Sequence, residues 1–351
     1  MVERGLRFPA IRLVQDGETL PPSSYTKRGR LQSRDVDDFI DAGRVVSLFD
    51  QGATIVLQAL HRYWAPLGLF CRDLENDLTH PVQTNVYVTP PSSRGLDIHY
   101  DTHDVFVLQV SGVKHWLVWD QAFDRPLAHQ HRTGRYEDPG TPSIDVELKP
   151  GDSLYIPRGF LHAAETGERE SSHMTVGILT YTWMDVVKQA TEGAASESSF
   201  REALPAGFAH SPASIRDEAR AKLSQVARWI ETLEPEDLVA RLADRFWSSR
   251  PPVLTGMLQQ ALEASSVDDS TVVTRRPGTT AQVKVSGDEL TLVLGDRKVV
   301  MPAWVEGAVN MVLERRGFRV RELERYLDES SRLVLVRRLI REGLLEQNLG
   351  V

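Results

Sequence analysis

The stretch GLDIHYDTHDVFVLQVSGVKHW, residues 95–116, places His99 and Asp101 one residue apart and then runs through an apolar segment to Lys114. In an extended chain, side chains at i and i+2 point the same way, so His99 and Asp101 converge while Tyr100 turns aside. An imidazole and a carboxylate are two of the three ligands of the 2-His-1-carboxylate facial triad that holds non-haem iron(II). The pair alone decides little. With 10 histidines and 49 acidic residues in the chain, about one such match arises by chance, and a solvated turn before a core strand accounts for it equally well.

A third ligand is offered by LKPGDSLYIPRGFLHAAE, where His162 stands sixty-three residues after His99. Pro150-Gly151-Asp152 makes a turn, Leu154–Ile156 a strand, and Pro157-Arg158-Gly159 a rigid bend that delivers the histidine. Taken alone, His162 reads as a core histidine bonded to the backbone. The ordered set, HxD followed by PGDxLYIPxGxxH, points instead to a metal site.

Lys114 follows from the same alternation. Lys114, Trp116 and Val118 share one strand face, and His115, Leu117 and Trp119 share the other. A lysine on an edge strand facing solvent is common, but burying one in so apolar a strand requires an anionic partner. A 2-oxo-dicarboxylate fits, because its keto-acid end chelates iron and its far carboxylate needs a cation. Asn85, Tyr87 and Thr175, on neighbouring strands, are placed to donate hydrogen bonds to that carboxylate or to line its pocket.

These residues need a scaffold of strands. VQTNVYVTP (82–90), SLYIP (153–157) and HMTVGILTYTW (173–183) read as strands, and VFVLQV (105–110) with VKHWLVW (113–119) as a hairpin turning at Ser111-Gly112. DVDDFIDAGRVVSLFD and TIVLQALHRYW, within 35–72, space their apolar residues like amphipathic helices. From Trp183 to about Ser249 the pattern is helical. LEASSVDDSTVVTRRPGTTAQ reads as a polar connector, and 282–351 as short strands and three helices in a winged-helix-like module.

Composition narrows the class. At 351 residues, 41% hydrophobic and 26% charged, the chain is a soluble globular protein of two or three domains. No apolar run approaches the ~20 residues that span a bilayer. The first residues lack a secretory apolar core, so a cytoplasmic location is expected. Cys71 is the single cysteine, which excludes an internal disulfide and leaves histidine and carboxylate to hold any metal. The net charge of −8 argues against general nucleic-acid affinity. Residues 296–351 carry eleven Arg or Lys against nine Asp or Glu, too even a mixture for a DNA-reading face.

The order NVYVTP, GLxxHYD, DVFVLQVxGxKxW, PGDxLYIPxGxxH, SxHMT…TYxW resembles the JmjC-type 2-oxoglutarate oxygenases, and most of all their ribosomal-oxygenase branch. The resemblance is densest over 82–183. It implies a mainly β, cupin-like catalytic domain, a double-stranded β-helix or jelly roll, over 1–183. A helical dimerisation region over 184–265 and a winged-helix-like domain over 280–351 would follow. It implies His99, Asp101 and His162 as ligands of Fe(II). Lys114 would be the partner of the 2-oxoglutarate distal carboxylate, with Tyr87 and Thr175 beside it, and Asn85 falls on the family's asparagine near the same pocket. FPAIRLVQDGE lies very near the start, without the family's usual helical lead-in, so either the reading frame is short or those helices are dispensed with.

The expected activity is hydroxylation of a protein side chain with Fe(II), 2-oxoglutarate and O2, releasing succinate and CO2. N-demethylation would follow for an N-methyl target. A basic partner such as a ribosomal protein suits the acidic chain, and a homodimer through 184–265 is expected. Asp97, Asp104 and Glu137-Asp138 are acidic candidates at the mouth of the site. His103, His129 and His131 read as exposed polar residues, with substrate contact the alternative. Two other functions compete: hydroxylation of a free amino acid, peptide or natural-product intermediate, and a non-catalytic cupin-type regulator that binds DNA.

Overall fold

The computed structural model describes residues 6–131, 136, 139–251 and 254–348. The chain forms two units, Met1–Thr180 and Tyr181–Val351. The first contains β1 (Ile11–Gln15), β2 (Glu18–Thr19), β3 (Thr26–Leu31), β4 (Arg34–Ile40), α1 (Ala42–Asp50), β5 (Thr54–Leu57) and α2 (Ala65–Leu78). It continues through β6 (Val82–Thr89), β7 (Asp104–Ser111), β8 (Lys114–Gln121), β9 (Ile144–Leu148), β10 (Ser153–Ile156), β11 (Phe160–Thr166) and β12 (Ser171–Ile178). A seven-stranded sheet has the order β10-β7-β12-β6-β5-β1-β2, and a three-stranded sheet the order β11-β8-β9.

The two sheets pack face to face. Val105 and Val107 of β7 and Ile156 of β10 meet Trp116, Val118 and Leu148 from the smaller sheet, all of them buried. The far face of the large sheet is covered twice. Ile11 and Leu13 pack with Tyr25, Ile40 and Val45, while Cys71 and Leu74 of α2 pack on Val82, Leu108, Met174 and Val176. Helix α1 starts cleanly because the Asp41 carboxylate accepts from the Gly43 and Arg44 N–H groups, 3.1 and 3.3 Å away, an N-cap geometry.

β7 and β8 are not a hairpin. β7 pairs with β10 and β12, and β8 with β9 and β11, so the Ser111-Gly112 turn carries the chain from one sheet to the other. Two strands with matching apolar alternation satisfy each other equally by facing across a sandwich. Gly112 makes the crossing at φ +65°, and a Cβ there would lie 2.1 Å from the Glu170 carbonyl oxygen. Gly112→Ala is expected to cost about 3 kcal/mol, seen as a lowered midpoint in denaturant unfolding followed by circular dichroism. An unchanged midpoint would show that the turn relaxes freely.

Two further readings are corrected. Residues 34–40 and 54–57 are strands, not helix. TIVL is a β-branched run wedged between β1 and β6, where sheet pairing overrides its helical spacing.

In the second unit, the stretch read as a polar connector contains the strand Val272–Arg275. That strand is the centre of a sheet with Gly317–Arg319 and Leu345–Gln347. Its Val273, with Val267, is buried in the same core as Leu290, Leu292, Val309, Val336 and Ile340. Helices at Trp183–Gly193, Arg216–Glu231 and Pro235–Ser248 follow the helical reading of that region. No helix among the described residues is long and apolar enough to cross a membrane.

Candidate active site

Between the sheets of the first unit lies a cavity of about 260 Å³, lined from β1, β5, β6, β7, β8, β10, β11, β12 and the 95–103 segment. His99, Asp101 and His162 meet in it, each offering one ligand atom, with those atoms within 4.8 Å of one another. The backbone sets this up. His99 and His162 form an isolated antiparallel bridge, exchanging N–H···O bonds of 3.2 and 2.8 Å. The Asp101 carbonyl accepts from the Gly159 N–H at 3.0 Å, so the Pro-Arg-Gly bend is tied to the same segment. Tyr100 points the other way, buried with Trp119 and Leu161, its hydroxyl donating to the Gln130 carbonyl at 2.7 Å.

The histidine tautomers follow from their partners. His99 Nδ1 lies 2.7 Å from the Asp97 carbonyl oxygen, and His162 Nδ1 lies 3.1 Å from that of Phe160. A carbonyl only accepts, so in the neutral imidazole each Nδ1 carries the hydrogen and each Nε2 keeps its lone pair. Burial, reinforced by His99, pushes His162 down to about 4, which leaves it neutral near pH 7. Burial acts to raise Asp101, but His162, His99 and His103 outweigh it and hold the carboxyl below its usual range. Two bare imidazole nitrogens and one carboxylate converging on a point suit a divalent iron.

Lys114 is 3% exposed. Its ammonium donates to Thr89 Oγ1 at 2.8 Å, and no acidic side chain among the described residues pairs with it. Burial drives its pKa down to about 7. Beside it, His173 is held well below the usual histidine value, first by burial and then by the Lys114 charge. The His173 ring stacks on Tyr87 at 4.8 Å and meets Trp116 edge-on at 5.3 Å.

The remaining sequence candidates come to the same cavity. Tyr87 and Asn85 on β6 and Thr175 on β12 all line it, because Asn85 pairs with Thr175 and Tyr87 with His173 across the two strands. Burial raises the Tyr87 phenol, aided by Asp101. The Asn85 carbonyl oxygen is already engaged, accepting from the Ala59 N–H at 3.0 Å.

His103 also lines the cavity rather than standing as an exposed polar residue. Its ring is seated against Gly177, where a Cβ would fall 2.6 Å away. His129 and His131 do not line this cavity. Asp97 pairs with Arg94. Asp104 accepts from the Arg158 N–H at 3.1 Å and the Tyr155 hydroxyl at 3.2 Å, which is a structural use. Glu137 and Asp138 lie outside the described residues.

Sequence reasoning missed Arg12, Thr54, Thr89 and His173. Arg12 carried one signal: it interrupts AIRLV between residues of strand alternation. Its membership of the site depends on β1 lying beside β5, a pairing across more than forty residues.

Residues 70–186 match the JmjC domain family. Over 151 residues the chain is 41% identical to ribosomal oxygenase 2 of Mus musculus, covering 41% of this chain and 32% of that protein. It is 30% identical over 269 residues to the bifunctional lysine-specific demethylase and histidyl-hydroxylase NO66 of Dictyostelium discoideum, covering 71% and 51%. The chain thus spans between a third and a half of the length of these curated relatives. The crystal structure of the Escherichia coli ribosomal oxygenase YcfD shares its fold, with a TM-score of 0.53 at 18% identity over 99% of this chain and 88% of that one. A further structure of YcfD is a complex with cobalt and 2-oxoglutarate. Residues 70–186 are a JmjC domain, and the sequence around it is similar to that of ribosomal oxygenases.

Proposed function

We propose that the chain is an Fe(II)- and 2-oxoglutarate-dependent protein hydroxylase acting on a side chain of a ribosomal or other basic protein. One observation carries this reading: a buried lysine with no acidic partner among the described residues shares a single cavity with a histidine–aspartate–histidine cluster. His99, Asp101 and His162 would hold the iron. Bound there, it supplies the oxidation in which 2-oxoglutarate, O2 and a target C–H become succinate, CO2 and C–OH.

The rest falls to the side chains. Lys114 pairs with the distal carboxylate of 2-oxoglutarate, and the Thr89 hydroxyl that accepts from its ammonium fixes its direction. Tyr87, Thr175 and Asn85 line the same pocket. Val107, Trp116 and Ile156 form apolar walls that keep water from the reacting groups. The two Nδ1–carbonyl bonds hold both imidazoles in the tautomer that presents Nε2.

The names of the relatives support a ribosomal target, and a net charge of −8 favours encounter with a basic protein. We read 184–265 as a homodimerisation region, 280–351 as a winged-helix-like module without nucleic-acid affinity, and the location as cytoplasmic. Apolar side chains on the helices of 184–265, such as Leu223 at 70% and Val239 at 52% exposure, suit a partner copy.

Iron-loaded protein incubated with ribosomal proteins, 2-oxoglutarate and air should release succinate and add 16 mass units, one oxygen atom, to one of them. Absence of peptide- or protein-stimulated turnover across a broad panel would overturn the reading. Unmodified ribosomal proteins with a stimulating small metabolite would move the target to the small-molecule class.

A further inference from the structure

The cavity holds a second cation that neither the metal cluster nor the co-substrate anchor requires. Arg12 lies on β1 between Ile11 and Leu13, which are fully buried on the other face of the sheet. Its side chain is therefore forced towards the cavity, which it lines. Register places it in one row with Val56, Tyr87 and His173. The Arg12 charge is a minor contributor that favours the ionised forms of the Tyr87 phenol and of Asp101. The Arg12 Nη1 donates to Thr19 Oγ1 at 3.3 Å, whereas its Nε–H is buried and has no hydrogen-bond partner among the described residues.

The charges of the loaded site show what Arg12 leaves over. Among the described residues, Asp101 is the single carboxylate lining the cavity. On the reading proposed above, Asp101 and the keto-acid carboxylate neutralise iron(II), and the distal carboxylate neutralises Lys114. Arg12, half-buried, is then a positive charge with no carboxylate paired to it among the described residues and with one buried donor left over. Guanidinium groups donate and never accept, and like charges in a low-dielectric pocket repel strongly.

We propose that Arg12 is a specificity-determining residue that selects a target side chain ending in a hydrogen-bond acceptor, an imidazole, carboxamide or carboxylate, and excludes arginine, lysine and N-methyl-lysine. The protein partner can be basic overall, since its surface charge acts on encounter outside the cavity. Hydroxylation of an acceptor-tipped residue is then the reaction, and demethylation of a lysine is not.

The test uses the full chain loaded with iron(II) and 2-oxoglutarate and peptide pools with random flanks around one fixed residue: His, Asn, Gln, Asp, Arg, Lys or N-methyl-Lys. Binding is read by anaerobic affinity selection, and turnover by succinate release and a 16-unit mass gain. Pools centred on His, Asn, Gln or Asp should be favoured over the cationic pools by about 10- to 100-fold. Arg12→Gln should level the preference and Arg12→Glu should invert it, with the iron–2-oxoglutarate absorption retained in both. That inversion is something a merely structural arginine would not produce.

Equal or preferential selection of cationic pools by the parent would overturn the proposal. So would a preference unchanged in Arg12→Glu, or selection of no pool by a protein that shows the absorption. Loss of the absorption in the variants would overturn it too, by making Arg12 a support of the metal site. Absence of the absorption in the parent would instead bring down the reading on which the proposal rests.

Discussion

Lys114→Met is expected to make the free protein more stable while nearly abolishing 2-oxoglutarate binding. The ammonium is buried, bonded to one hydroxyl, and depressed from 10.5 to about 7. Between those values the unfolded chain binds more protons than the folded one, so this group makes stability rise with pH across that window. Its cost is fully present below about pH 7 and vanishes above about 10.5. Removing it should stabilise the protein near pH 7 by roughly 2–4 kcal/mol, because methionine fills the space without a charge. The same change removes the cation assigned to the distal carboxylate and should weaken 2-oxoglutarate by about 100-fold or more.

The parent carries a matching pH signature. Binding a carboxylate beside Lys114 requires the charged form, so affinity should be level below pH 7. It should then weaken by up to about tenfold per pH unit above it. Calorimetric titration with 2-oxoglutarate at pH 6.5 to 9, alongside thermal melts of parent and variant, reads all three effects. Normal binding by Lys114→Met would show that the anchor is another group.

His99→Ala is expected to lose iron rather than fold. Its backbone bridge to His162 does not involve the side chain, so the hairpin-like contact between the 95–101 segment and β11 survives the change. Removing even an outer partner of a metal ligand costs about 10- to 100-fold in affinity, so loss of the ligand itself should exceed 100-fold. The expected result is unchanged circular dichroism, iron binding too weak to measure at micromolar protein, and no succinate formation. A variant that binds iron as tightly as the parent would remove His99 from the ligand set.

The site was more legible than the fold that carries it. His99, Asp101 and Lys114 declare themselves because strand alternation is local: two residues apart means the same side, and a lysine amid VKHWLVW must face either solvent or a partner. His162 needed only the Pro-Gly-Asp turn and the Gly159 bend, both of which are sequence signals. What escaped depends on pairing at a distance. The VFVLQV and VKHW strands have the same alternation whether they pair or face each other, so a sheet-to-sheet crossing looked like a hairpin. TIVL and Val272–Arg275 become strands because of the neighbours they pair with, not because of their own spacing. Arg12 and His173 share a row through three consecutive pairings from β1 to β12, and no window of sequence contains that row.

Anaerobic titration of the parent with iron(II) and 2-oxoglutarate, followed optically, is the most direct measurement of whether this cavity is an iron–2-oxoglutarate site. The expected result is a metal-to-ligand charge-transfer band that needs both components, saturates at one iron per chain, and disappears in His99→Ala. No band in the parent, or an undiminished band in His99→Ala, would contradict it.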